Sequence, residues 1–324
     1  MKPRPSSSQR RSALQILIAL LTALVLPLAL TGGAWAYSHH SQSHARTWTV
    51  RVGEESRDMA IQGMAYLPKN IYINAGDTIR WKANSAEIHT VTFLARGQTL
   101  ASTQPFNASD PRATGMVGGH RYDGKSYYNS GLMSTMSSSF LPTATHYSLK
   151  FPKTGTFTYW CLVHGKVMKG TVHVRPAGSH YPYTQRQYDR HSAKVTRAIL
   201  KHGYHLWHET AEHATNHRVF TGNDDDVAMV MRFIRPTVTV HAGETVHFKN
   251  IGMAAPHTVT FGAVKADFLK PYGDPAHFAG GQLNSGVLLP GARFAVTFTK
   301  AGTYHYICAF HADMGMVGKV VVKP

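Results

Sequence analysis

The sequence predicts an all-β protein built from two sandwich or barrel domains, and three observations carry that reading. The first is an internal repeat. "FPKTGTFTYWC" (151–161) matches "FTKAGTYHYIC" (298–308), and "INAGDTIRW" (73–81) matches "VHAGETVHF" (240–248). "IHTVTF" around His89 matches "PHTVTF" around His257, and "NSG" recurs at 129–131 and 284–286. The second observation is period: the repeated segments are short, alternate apolar with polar residues, and favour Val, Ile, Thr, Tyr and Phe. The third is punctuation by Gly, Pro, Asn and Asp, the pattern of many short antiparallel strands joined by turns.

Taken in order, the chain opens with Lys2, Arg4, Arg10 and Arg11, an apolar run from Ala13 to Leu30, and "AWA" ending at Ala36. That is the form of an export signal over 1–36, with an uncleaved N-terminal anchor as the alternative, since the run approaches the length of a membrane span. "RRSAL" is only part of a twin-arginine signal, so the export route stays open. Either way the folded part is expected outside the cytoplasm: periplasmic, secreted, or anchored on the outer face.

The first repeat then spans 46–176, with strands expected at "TIRWKA", "HTVTFL", "HYSLKF", "TFTYWC" and "GTVHVR". The second spans 227–324, with strands at "TVHFKN", "HTVTFG", "RFAVTF", "TYHYIC" and "GKVVVK". Between them, 177–226 reads as a His-rich linker with one or two helices interrupted by Gly203. A long segment at 96–128 has no counterpart in the second repeat.

The chain has only two cysteines, and the repeat places them equivalently, at Cys161 and Cys308. Each is followed by a histidine three residues on, His164 and His311, and then by methionine. With His89 and His257 upstream, each repeat offers one thiolate, two imidazoles and a thioether. Soft sulfur with imidazole suits copper, and a His2Cys plane with a long axial Met is the electron-transfer copper pattern. The competing reading is a disulfide or a pair of buried small side chains. A disulfide requires Cα atoms within about 7 Å, which equivalent positions in separate domains are not expected to meet.

At these residues the chain resembles the cupredoxins, the plastocyanin-like blue copper family. "PHTVTF" and "CAFHADMGMVGKVVV" are similar to its upstream histidine strand and its Cys-x2-His-x4-Met loop. The resemblance implies Greek-key domains and a ligand set of His257, Cys308, His311 and Met316, with Met316 preferred to Met314 because "VGKVVV" follows it. It implies His89, Cys161, His164 and Met168 in the first repeat, whose loop is one residue shorter. The implied cofactors are two type 1 coppers, one per domain. The implied function is electron carriage, with electrons entering and leaving through the exposed edges of His164 and His311.

Enzymes are also built from tandem domains of this family, namely copper nitrite reductases and multicopper oxidases. Those relay electrons through histidines beside the cysteine, whereas here Trp160 and Leu162 flank Cys161, and Ile307 and Ala309 flank Cys308. The sequence also holds no His-x-His pair of the oxidase kind. No catalytic residue is therefore expected. In the linker, His208 and His213 of "HETAEH" are five apart, about 140° around a helix, which fails the zinc-protease spacing of four. His205, Glu209 and His213 share a helical face, which leaves copper storage as a further alternative. Met116, Met133 and Met136 are read mainly as packing.

Lys and Arg number 34 against 17 Asp and Glu, a net charge of +17, and loss of the four basic residues of the signal leaves +13. The surplus favours acidic redox partner proteins or a membrane surface. It is spread along the chain instead of blocked in a basic arm, so no nucleic-acid partner is expected.

Overall fold

The computed structural model describes residues 45–136 and 142–324, all within one compact unit, Gln42–Pro324. The expected export segment lies outside the described residues. Among the described residues no helix is long and apolar enough to cross a membrane.

One eight-stranded sheet is shared by both repeats. Its order is Arg293–Thr297, Thr245–Lys249, Arg218–Asp224, Ala228–Ile234, Ile61–Leu67, Thr47–Glu55, Thr78–Ala83 and His146–Lys150. The two halves meet where Ala228–Ile234 pairs antiparallel with Ile61–Leu67, in the register Ala228 with Gly63, Met229 with Gln62 and Val230 with Ile61. Each half faces a six-stranded sheet of its own repeat. In the first repeat the order is Asn70–Asn74, Gly165–Arg175, Gly155–Cys161, Thr92–Phe93, Tyr128–Ser130, Met116–Val117. The second repeats that order with Thr237–His241, Val317–Lys323, Gly302–Ile307, Thr260–Phe261, Leu283–Ser285 and Pro271–Tyr272.

Alternation explains the outer strands. Along Thr78–Ala83, Ile79, Trp81 and Ala83 are buried while Arg80 and Lys82 are exposed, so one face enters the core and the other meets water. Aromatic side chains fill both cores: Trp81, Phe93, Phe151 and Tyr159 in the first repeat, Phe233, Phe248, Phe261, Phe298 and Tyr306 in the second. The two seam strands are instead buried along nearly their whole length. The expected strand at "HTVTFL" is shorter than predicted: only Thr92–Phe93 is regular, and His89 joins through a single bridge to Met133.

The segment between the repeats differs from the expected interrupted linker. Gln185–Glu212 is one continuous helix, opened by a capping box between Thr184 and Gln187. It does not break at Gly203, which is buried where the helix crosses the seam. A Cβ on Gly203 would lie 2.2 Å from Ile61 Cγ2 and 3.2 Å from Ala228 Cβ. Ile199 packs there with Ile61, Phe220, Ala228, Val230 and Ile234, forming a third apolar cluster. The strand Arg218–Asp224, placed by sequence in the linker, pairs with Thr245–Lys249 of the second repeat. The 96–128 segment holds a short helix, Pro111–Thr114, and reaches the first cysteine loop, where Gln104 Nε2 donates to Leu162 O at 2.8 Å.

Candidate metal centres

Cys161 ends the strand Gly155–Cys161, and Cys308 follows Gly302–Ile307 directly. The upstream histidines come from the segments leading into the neighbouring strands of the same sheet, on isolated bridges: His89 exchanges both backbone hydrogen bonds with Met133, and His257 does the same with Leu288. Met133 is accordingly a buried core residue, and Met116 is 60% exposed.

Two groups result, His89–Cys161–His164 and His257–Cys308–His311, each with its nitrogen and sulfur atoms within 4.8 Å of one another. In the first, Cys161 Sγ lies 3.3 Å from His164 Nδ1 and 3.9 Å from His89 Nδ1. In the second, Cys308 Sγ lies 3.3 Å from His311 Nδ1 and 3.7 Å from His257 Nδ1. All six side chains are buried. These are the only such groups of three among the described residues.

A shared scaffold holds each sulfur. Thr90 N and Thr258 N donate to Cys161 and Cys308 Sγ, both at 3.4 Å. The same threonines accept, through Oγ1, from Leu162 N and Ala309 N at 2.8 Å, which fixes the start of each loop. Their hydroxyls continue to Thr92 and Asn129 in one repeat and to Thr260 and Asn284 in the other. Ser130 and Ser285 Oγ accept from Val91 N and Val259 N. Sequence reasoning passed over these residues as ligand supports, although the recurring "NSG" was their signal.

Gly53 and Gly222 were missed altogether. Both have positive φ, +74° and +77°, at equivalent register shifts in the strands that flank the seam pair. A Cβ on Gly53 would stand 2.4 Å from His89 Nε2, and one on Gly222 would stand 2.8 Å from His257 Nε2. Each glycine therefore makes room for an upstream imidazole. Ser85 Oγ completes the first, 3.0 Å from His89 Nε2, which leaves Nδ1 facing the sulfur.

The charges fit a metal site. Burial opposes ionisation of the Cys161 thiol, but the neighbouring His164 and His89 outweigh it and hold the thiol well below its ordinary value. Cys308 is lowered against its own burial by His311 and His257 in the same way. His164, despite burial, is pushed up to about 10 by Cys161 and then Glu87, and His311 is raised by Cys308 and Glu87. Each thiolate thus faces two imidazoles in a dry pocket, a soft donor set suited to copper.

The expected exposed imidazole edges are not there. His164 and His311 are 6% and 7% exposed, because the shared sheet turns the two cysteine loops toward each other. Glu87 lies between them, its Oε1 3.7 Å from His164 Nε2 and its Oε2 3.8 Å from His311 Nε2. Burial works against ionisation of this carboxyl, but the imidazoles of His164, His311 and His89 hold it down to about 2.

Met168 and Met316 are fully buried in the same clusters as Cys161 and Cys308. Cys308 N donates to Met316 O at 3.1 Å. Met314 instead packs into the first repeat's core, and its carbonyl accepts from Arg232 Nη1 at 2.6 Å. The linker histidines are dispersed: His202 pairs with Asp225, His205 with Glu209, and His217 with Glu244.

The profile of the copper binding proteins of the plastocyanin/azurin family matches residues 54–175 and 220–323. The chain belongs to this family. Plastocyanin from Rumex obtusifolius is 34% identical over 102 residues, 32% of this chain and 95% of that protein. Chloroplastic plastocyanin from Oryza sativa subsp. indica is 41% identical over 86 residues, 26% of this chain and 51% of that protein. Across three chloroplastic relatives the chain spans 51–59% of their length. Among solved structures, a Cu(I) form of an amicyanin variant is 29% identical over 34% of this chain and 82% of its own, with TM-score 0.24. A purple cupredoxin from Nitrosopumilus maritimus is 24% identical over 33% of this chain and 98% of its own, with TM-score 0.23. The two matched regions of this plastocyanin/azurin family chain each contain one His-Cys-His group, so the expected copper sites number two, one per repeat.

Proposed function

We propose that the protein is an exported electron carrier with one type 1 copper in each domain, and that Met168 and Met316 supply the axial sulfur. The duplicated, buried His-Cys-His group carries this reading. Copper, when bound, supplies a one-electron couple between Cu(II) and Cu(I). The residues do the rest. Cys161 and Cys308 present thiolates already stabilised by imidazole and backbone N–H. His89, backed by Ser85 and Gly53, His257, backed by Gly222, and His164 and His311, which face Glu87, would hold the metal together with the thiolates. Water is kept out by the aromatic cores.

Trp160 and Leu162, and Ile307 and Ala309, give neither cysteine a neighbouring histidine, which supports a carrier over an oxidase or nitrite reductase. Dispersal of the linker histidines weighs against copper storage. The basic, signal-like N-terminus supports a site of action outside the cytoplasm, with redox proteins as partners.

Metal analysis and visible spectroscopy of the purified protein test the proposal. Two coppers per chain with intense blue absorption are expected, and Cys161→Ser and Cys308→Ser should each remove one copper and its share of the colour. A colourless protein, or turnover of nitrite or oxygen with a third copper, overturns it.

A further inference from the structure

The geometry points to Glu87 as a shared positioning residue that couples the two copper centres into one electron-exchanging pair, along His164, the Glu87 carboxylate and His311. This rests on the two-copper reading above. The ring nitrogen of each cysteine-loop histidine that faces away from its sulfur faces the same carboxylate, at 3.7 and 3.8 Å. Glu87 is 8% exposed, and His164 Nε2, fully buried, has no hydrogen-bond partner among the described residues. The carboxylate is what that nitrogen faces.

The carboxylate is held in place by the seam of the shared sheet. Glu87 N donates to Gln62 Oε1 at 3.4 Å, and Ala86 N donates to Glu55 Oε2 at 2.8 Å. Gln62 sits opposite Met229 of the other repeat, so the same strand pairing that joins the domains fixes the bridge. From the other side, Arg232 donates to the carbonyls of Met314 and Asp58, tying the second cysteine loop to the first domain.

The repeat is broken at this point only in one copy. Glu87 stands two residues before His89, whereas Ala255 stands two residues before His257. One carboxylate therefore serves both sites. A second at 255 would add a like charge at the same buried seam, where it would be costly.

A single anion between two imidazoles favours the more positively charged, oxidised state of both sites and fills the space between them with one side chain in contact with each ring. In the exchange itself one electron leaves a site holding Cu(I), which becomes Cu(II), and reaches the other, where Cu(II) becomes Cu(I). No bond is made or broken and no proton moves.

The test uses the full chain with both coppers bound, as parent, E87Q and E87A. Spectroelectrochemistry, with C161S and C308S proteins to assign each site, should show both potentials rising in E87Q. Pulsed one-electron reduction, applied to protein loaded with both coppers and checked for metal content, should show inter-site exchange slowed about tenfold or more in E87A. E87Q keeps the size of the side chain and so reports even where E87A folds poorly. A rise confined to the first-domain potential, or exchange unchanged in both variants, overturns the bridge while leaving two working copper sites. A colourless parent protein overturns the carrier reading as well.

Discussion

At the scale of single residues, each site joins a thiol lowered by its imidazoles to a histidine raised by its thiol. The two act on stability in opposite directions as pH changes. The lowered thiols stabilise the metal-free fold fully above the unfolded thiol value of about 8.5, and lose that contribution as pH falls. His164, raised to about 10, contributes fully below its unfolded value of about 6.5 and loses it as pH rises through about 10. Between about 6.5 and 8.5 the two slopes cancel. Metal-free protein should therefore show a plateau of thermal stability over that window and fall away on both sides. The acid side is steepened by Glu87, whose contribution is full above about 4.5 and lost toward about 2. In C161S and C308S the acid-side slope should shrink. Melting temperatures across pH would check this, and a monotonic profile would contradict it. The ligand histidines and cysteines were legible in the sequence because each loop supplies its donors within a few residues and the repeat displays them twice. Glu87 was not: one carboxylate two residues from a ligand has no sequence pattern, and its second contact lies more than two hundred residues away.

At the scale of elements, legibility follows the period. Strands with one wet face, such as Thr78–Ala83 and Arg293–Thr297, announce themselves by alternation. The seam strands do not. "IQGMAYL" and "AMVMRFI" are buried on both faces and so lack the alternation that marks a half-exposed strand. That is why the join between the repeats stayed hidden, and with it the burial of the two imidazole edges. Gly203 misled for a related reason: in isolation it argues for a helix break, whereas here it permits close approach of an unbroken helix to the seam. The usual gain from replacing a helical glycine by alanine, about 1 kcal/mol, should consequently reverse. Gly203→Ala is expected to destabilise by about 1–3 kcal/mol through overpacking against Ile61. A double-mutant cycle with Ile61→Ala should recover part of the loss in urea unfolding. Stabilisation by Gly203→Ala alone would show that the contact relaxes freely.

At the scale of the whole molecule, two facts bear on how a partner exchanges electrons with it. The cysteine-loop histidines face each other across the seam and are buried, so a partner does not meet them at the surface. Beside the cysteines, Trp160 is half-buried with the Lys169 ammonium 5.5 Å from its ring, and Ile307 lines an apolar groove of about 370 Å³ with Pro236, Val317 and Lys319. Without its signal-like first 36 residues the chain carries +13, and the positive charge is not confined to one segment. An approaching anion is therefore attracted by the net positive charge, and that attraction is screened over about 10 Å at 0.1 M salt. Oxidation of the fully reduced protein by ferricyanide should be fast at low ionic strength and slow several-fold as salt rises to about 0.15 M. A cationic cobalt complex should show the opposite trend, because salt then screens repulsion. The pair separates field from path: were electrons leaving through a local acidic patch near Glu87, the cationic oxidant would be the one that salt slows.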